Sequence, residues 1–266
     1  MVAKDETREG IAPPAEGGVV KSAGRVLEVF ELFRELRRPL TATDIGRALR
    51  YPKSSTNALL KSLVALGYLS FSRPSLTYFP TLRLTGLADW VPSALFGSED
   101  TQNLLEELHE ATGETITLSM HNELSMQFLR AIPGTFPISL RIVEGYMVPV
   151  FGTAVGGAYL ATRPDDEILA LIDRANARTR RRGAKLDPDA VLKEIATIRD
   201  RGYSLAYDRV VEDTGAVAVA LPAALEGRTL VVAIAGLGDR IKRNERNIIR
   251  LLRAAVLRYY PSRRTA

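Results

Sequence analysis

The 266-residue sequence contains no cysteine. That excludes a disulfide framework, a thiolate metal site and a cysteine nucleophile. Only two histidines are present, His109 and His121, which argues against a multi-histidine metal centre. Long apolar runs are missing too. The strongest, Thr229 to Leu237, falls far short of the roughly 18–20 residues that span a bilayer. The amino terminus, MVAKDETREG, carries acids and no apolar stretch, so it does not read as a signal peptide. A cytoplasmic protein with no membrane partner is the expectation. What is there is ordinary for a soluble globular chain: 46% apolar and 25% charged residues. The length fits two domains, or one large one.

The net charge of +5 is unevenly placed. Residues 21–73 hold ten Lys and Arg against four acids, more than the whole excess. A small module carrying all the surplus charge is the footprint of a polyanion binder. A second basic cluster, Arg178, Arg180, Arg181, Arg182 and Lys185, reads as an exposed loop. From Arg240 to Arg264 arginines interleave with Ile248, Ile249, Leu252, Val256 and Leu257, the pattern of an amphipathic helix with a wet face.

Residues 1–20 are polar, with Pro13-Pro14 and Gly17-Gly18, and read as a disordered tail. From Lys21, Val26, Leu27, Phe30, Phe33 and Leu36 recur at helical spacing, and Pro39 stops the helix. Thr41 with Asp44 three residues on resembles a capping box opening a short second helix with Ile45, Ala48 and Leu49 on one face. Arg50-Tyr51 form a tight connection, and Pro52 suits the first turn of a third helix, to about Leu66. There Thr56, Leu59, Leu60 and Leu63 share one face, and Ser54, Asn57, Ala58 and Lys61 the other. Gly67 is placed as the left-handed cap. Tyr68–Phe71 and Leu76–Phe79 then form a hairpin around Arg73-Pro74-Ser75. Helix, helix, short turn, helix, hairpin is a winged helix-turn-helix, whose third helix presents a small polar face to base edges. An ordinary three-helix bundle has no reason to keep that face bare among basic residues.

Leu82–Phe96 reads as a linker helix, with Trp90 packed in an interface. The domain boundaries expected are a tail over 1–20, a DNA-binding domain over 21–82, a linker over 83–100 and an effector-binding and oligomerisation domain over 101–262. In the last, helices are expected over Leu104–Thr112, Gly152–Thr162, Asp165–Ala177, Asp187–Arg201 and Ile241–Tyr260. Strands are expected over Thr115–Met120, Met126–Ile132, Ser139–Val143, Met147–Val150, Tyr203–Tyr207, Ala216–Leu221 and Thr229–Ala235. This is an α+β domain around one antiparallel sheet with flanking helices.

Catalytic signatures are weak. Gly152-Thr-Ala-Val-Gly156-Gly157 follows a strand and opens a helix, but lacks the Lys and hydroxyl of a Walker loop. Neither G-x-G-x-x-G nor G-x-S-x-G occurs. Close helix packing explains these glycines better. His121 beside Asn122 and Glu123 reads as a solvated turn residue, His109 as a helix-surface residue, and Glu106-Glu107 as a wet helix face. Neither enzyme activity nor a cofactor is expected.

Several strings, in order, resemble the IclR family of bacterial transcription regulators. They are Arg-Pro-Leu-Thr (38–41), Tyr-Pro-Lys-Ser-Ser (51–55) and Leu-Leu-Lys-Ser-Leu-Val-Ala-Leu-Gly-Tyr-Leu (59–69). Further on come Ala-Thr-Gly-Glu-Thr (111–115), the run from Val148 to Ala161, Arg-Gly-Tyr-Ser (201–204) and Gly-Ala-Val-Ala-Val-Ala-Leu-Pro (215–222). The resemblance spans Lys21 to Tyr260. It implies an N-terminal winged helix-turn-helix, a C-terminal GAF-like effector-binding domain, and homodimers, commonly homotetramers, on palindromic double-stranded operators. In relatives that bind small organic acids, a Gly-Ala pair at a helix start falls on Ala154 and Val155. A pocket carboxylate falls on Asp208, a Cys on Ala218, and two Ser on Ala233 and Ala235. The usual His before the pocket helix is Phe151, and the usual Lys inside it is Gly157. One acid is kept while nearly all other polar side chains are gone. An anionic ligand facing alanines loses roughly 1–3 kcal/mol per unpaired group. The expected effector is therefore a more apolar, even aromatic, small organic molecule, with Asp208 touching a hydroxyl, amine or water.

On the DNA side, Asn57 can pair with adenine N6 and N7 or touch a phosphate, and Ala58 offers apolar contact to a thymine methyl. Ser54 and Ser55 suit phosphates or base edges, Ser55 also the helix cap. Arg47, Lys53, Lys61 and Arg73 suit phosphates. Arg25 is expected to pair with Glu28. The rival reading is an effector-independent DNA-binding protein whose second domain only oligomerises.

Overall fold

A computed structural model describes residues 20–91, 99–179, 185–225 and 228–261, with the side chains of 223–225 left aside. The chain divides between Leu95 and Phe96 into two compact units, each with its own core. Residues 1–19 of the expected tail, Arg180, Arg181 and Arg182 of the second basic cluster and residues 92–98 of the expected linker lie outside the described residues.

The first unit opens with α1 (Lys21–Leu36), then β1 (Leu40–Thr41), α2 (Ala42–Leu49) and α3 (Lys53–Ala65). The hairpin β2 (Leu69–Ser72) and β3 (Thr77–Pro80) follows, and β1 joins it in the order β1-β3-β2. The capping box at α2 is complete: Asp44 N donates to Thr41 Oγ1, and Thr41 N to Asp44 Oδ2 at 3.1 Å. The hydroxyl and N–H of Thr41 hold the Asp44 carboxyl below its usual pKa. Gly67 (φ +79°) sits one past the last residue of the α3 cap, with Tyr68 N on Leu63 O and Gly67 N on Val64 O, a Schellman closure. Val29, Leu32, Phe33, Leu40, Ile45, Leu60, Leu63, Leu69 and Tyr78 fill the core.

Three expectations change here. Pro52 is the N-cap residue of α3, not a first-turn residue. Arg25 does not pair with Glu28: Glu28 accepts from the Tyr51 hydroxyl, and the Arg25 guanidinium lies over the Tyr51 ring at 4.8 Å. Burial and that carboxylate push the Tyr51 hydroxyl up to about 12. Over 82–90 turns surround a 3-10 turn, Thr85–Leu87, where the linker helix was expected, and residue 91 is helical. Trp90 is 63% exposed there, its indole N–H on Leu87 O.

The second unit is built on a six-stranded antiparallel sheet, order β6-β5-β4-β9-β8-β7. Its strands are β4 (Thr115–Asn122), β5 (Ser125–Ile132), β6 (Met147–Pro149), β7 (Ser204–Tyr207), β8 (Thr214–Leu225) and β9 (Arg228–Leu237). The helices are α4 (Glu99–Thr112), α5 (Ala154–Leu160), α6 (Asp165–Arg178), α7 (Pro188–Arg201) and α8 (Gly238–Tyr259). One face of the sheet packs Ile116, Leu118, Val217, Val232 and Ile234 against α4 and α8. The other packs against α5, α6 and α7.

The expected strand Ser139–Val143 is not a strand. Its alternation is β-like, but the β5 edge it would need is already taken. Ala131 N donates to Glu144 Oε1, and Gly145 and Tyr146 exchange hydrogen bonds with Phe128. Leu140 O instead accepts from Thr115 Oγ1 at 2.8 Å.

Candidate nucleic-acid interface and effector face

The α2–turn–α3 corner is tight because Gly46 has no side chain. A Cβ there would lie 3.3 Å from Thr56 Oγ1 and 3.4 Å from Tyr51 O. Arg50 turns the chain at φ +56°, and Tyr51 N closes on Gly46 O at 2.8 Å. Thr56, Leu60 and Leu63 anchor α3 to the core. The opposite side carries Lys53, Ser54, Ala58 and Lys61, all exposed, with Ser55 and Asn57 half-buried beside them. Ser55 does not cap the helix; its hydroxyl donates to Pro52 O at 3.0 Å. Arg47 on α2 and Arg73 in the β2–β3 turn are exposed. Among the described residues, none of Arg47, Lys53, Lys61 and Arg73 forms an ion pair. Short side chains flanked by free cations let a backbone come close to base edges while the cations meet phosphates.

In the second unit, the α5 side of the sheet consists of small residues in register. One row is Thr117, Ala233, Ala218 and Ser204; the next is Thr115, Ala235, Ala216 and Ala206. All seven residues of α5 are buried, and the Thr153 hydroxyl caps its start by accepting from Gly156 N at 3.1 Å. Ala154, Val155, Ala218 and Ala233 share one cluster, with Phe151 against it, and Ala235 stands in the adjoining row. Asp208 lies apart: it is exposed, one residue past β7, and in a left-handed conformation (φ +54°). The hydroxyl-bearing Thr117 and Ser204 were not among the expected pocket residues. The alternation Thr115-Ile-Thr-Leu-Ser119 carried the signal for Thr117.

His121 is not a solvated turn residue. It lies within β4 opposite Met126, its ring stacked on Tyr159 at 4.3 Å, and among the described residues its buried Nε2 has no hydrogen-bond partner. Burial lowers its pKa, against the smaller opposing effect of Glu123. His109 Nδ1 lies 3.2 Å from Glu114 O. Among the described residues no cluster of His, Asp or Glu could hold a metal ion, and no helix is long and apolar enough to cross a membrane.

Comparison with known proteins meets this geometry. The IclR helix-turn-helix domain matches residues 22–73, and the bacterial transcriptional regulator IclR C-terminal domain matches 98–259. The HTH-type transcriptional regulator XynR of Escherichia coli K12 is 26% identical over 204 residues, covering 77% of this chain and 80% of its own. The effector domain of an IclR regulator from Acinetobacter sp. ADP1 superposes with TM-score 0.58 at 27% identity, over 64% of this chain and 99% of its own. An IclR homologue from Microbacterium hydrocarbonoxydans, solved with 4-hydroxybenzoate, superposes with TM-score 0.66 at 20% identity, over 92% of this chain and all of its own. With both domains matched in order, the chain belongs to the IclR family of transcriptional regulators, which join a DNA-binding helix-turn-helix to an effector-binding domain and are not enzymes.

Proposed function

We propose that this chain reads a palindromic operator through α3, as a homodimer or homotetramer in the cytoplasm, under control of a largely apolar, aromatic effector. The observation that carries the DNA half is the exposed Ser54, Ala58 and Lys61 stripe, with Asn57 beside it and Arg47, Lys53 and Arg73 around it, none of them in an ion pair among the described residues. Asn57 reads adenine, Ala58 meets a thymine methyl, Ser54 and Ser55 serve phosphates or base edges, and the four cations hold the backbone. The effector half rests on the two rows of small residues beneath Ala154 and Val155. Alanine at 218, 233 and 235 favours apolar surface, with the Thr117 and Ser204 hydroxyls within the same rows. The Microbacterium homologue's aromatic acid fits that class. Asp208, exposed one residue past β7 and apart from these rows, is not assigned a contact to that ligand.

Selection of genomic fragments by the purified protein tests the reading and defines the operator. On it, Asn57→Ala is expected to lose about 1–3 kcal/mol of discrimination. Lys61→Ala should weaken all duplexes alike and lower the salt slope by about 0.9. Equal losses on operator and random DNA for Asn57→Ala would contradict the assignment. Tight calorimetric binding of a small 2-oxo acid would overturn the apolar effector.

A further inference from the structure

The helix-turn-helix is not the only cationic surface. Helix α8 carries seven cations (Arg240, Lys242, Arg243, Arg246, Arg250, Arg253 and Arg258) against two acids, Asp239 and Glu245. With this helix and residues 21–73 set aside, the sequence holds nineteen cations and twenty-five acids. The remainder is therefore net negative, with the 178–185 stretch as its own basic cluster.

The α8 cations divide by what they touch. Arg240 is held by Glu114, Arg258 by Glu107 of α4, and Lys242 lies over the Tyr207 ring at 5.0 Å. Glu245 accepts from the Tyr207 hydroxyl at 2.9 Å. Arg243, Arg246, Arg250 and Arg253 remain: all exposed, and among the described residues none is paired with a carboxylate. Their spacing of three, four and three residues puts them on one face of the helix, over about 15 Å of axis. That spans the rise of about four phosphates along one DNA strand. A face meant only for water gains from acids at i±4. Of the four, only Arg243 has one, Asp239; Arg246 instead has Lys242 and Arg250 at i±4, like-charge pairs whose repulsion a polyanion relieves.

We propose that this α8 face is a second DNA-binding surface, taking the phosphate backbone of a duplex without reading sequence. Arginine suits it, since the planar guanidinium meets phosphate oxygens in bidentate fashion. A second copy packed by the same face would oppose like charges, so DNA is the better occupant.

The test is binding of the full chain to a 30-base-pair duplex of random sequence, titrated across salt. It compares wild type, Arg243→Gln/Arg246→Gln/Arg250→Gln, Lys61→Ala and their combination. Glutamine keeps helix propensity at these exposed positions, and circular dichroism checks the fold. The triple variant is expected to bind at least tenfold more weakly at about 100 mM salt and to lower the salt slope by about 2.7. The loss should persist in the Lys61→Ala background, with sedimentation mass unchanged. An unchanged slope and affinity overturns the proposal. So does a changed sedimentation mass with the slope intact, which marks the face as a contact between copies. Operator discrimination, read through Asn57→Ala, reports on the α3 reading separately.

Discussion

Glu114 is 2% exposed, and both its carboxylate oxygens accept from one guanidinium, Oε2 from Arg240 Nη2 at 2.7 Å and Oε1 from Nε at 2.5 Å. The same guanidinium lies 4.0 Å over the Phe136 ring and donates to Ile138 O at 3.2 Å. Gly236 makes room, since a Cβ there would fall 2.3 Å from Glu114 Oε2. One ion pair thus ties the start of β4, the first turn of α8 and the 136–138 segment together. Removing one partner of a buried pair costs about 3–5 kcal/mol, because the other charge stays buried and unpaired. Arg240→Met is therefore expected to lower stability in urea by about that much. Glu114→Leu/Arg240→Met should recover much of the loss, and a double variant no better than the single one would count against the pairing. The sequence held Glu114 in plain view within Ala-Thr-Gly-Glu-Thr but not its function, because the partner lies 126 residues away. His121 was misread for a related reason. Its neighbours Asn122 and Glu123 look like a turn, and only the fold brings Tyr159 onto its ring.

Helix α5 shows why local glycines carried a correct packing message. A Cβ on Gly156 would lie 1.8 Å from Val150 O, and one on Gly157 would lie 2.5 Å from Ser204 Oγ and 2.9 Å from Ile198 Cδ1. The contact atom at Gly156 is backbone, so it cannot rotate away. Gly156→Ala is expected to destabilise the second unit by about 1–3 kcal/mol or more through overpacking. Gly86→Ala, with nothing within 4 Å, serves as a neutral control in the same melting assay. Elements with their own punctuation were legible: the Thr41–Asp44 box, the Gly67 closure, and Pro188 with Gly202 around α7. Elements defined by a partner were not. Ser139–Val143 alternates like a strand but finds its edge occupied, and 82–90 has helical composition but closes mostly on i→i−3 hydrogen bonds, as turns and one 3-10 turn. The candidate site divides likewise. The bare face of α3 follows from periodicity, whereas the rows joining Thr117 and Ser204 to Ala218 and Ala233 depend on strand register.

At the scale of the molecule, the two units keep separate cores. Leu60 (0% exposed) lies in the nine-residue cluster of the first unit, and Leu118 (0% exposed) beneath α4 and α8 in the second. Neither cluster draws a residue from the other unit, so each behaves as its own cooperative body. Truncating a buried leucine to alanine costs about 2–5 kcal/mol, and in a domain of this size each kcal/mol moves the midpoint by roughly 4–8 °C. In scanning calorimetry of the full chain, Leu60→Ala should lower one transition by roughly 10 °C or more and leave the other in place. Leu118→Ala should do the reverse, with a smaller shift because the second unit is larger. A single transition displaced by both variants would show one cooperative body. The DNA-binding unit could not then be destabilised without the effector domain, and the separation of reading head from sensing domain would fail at its physical base.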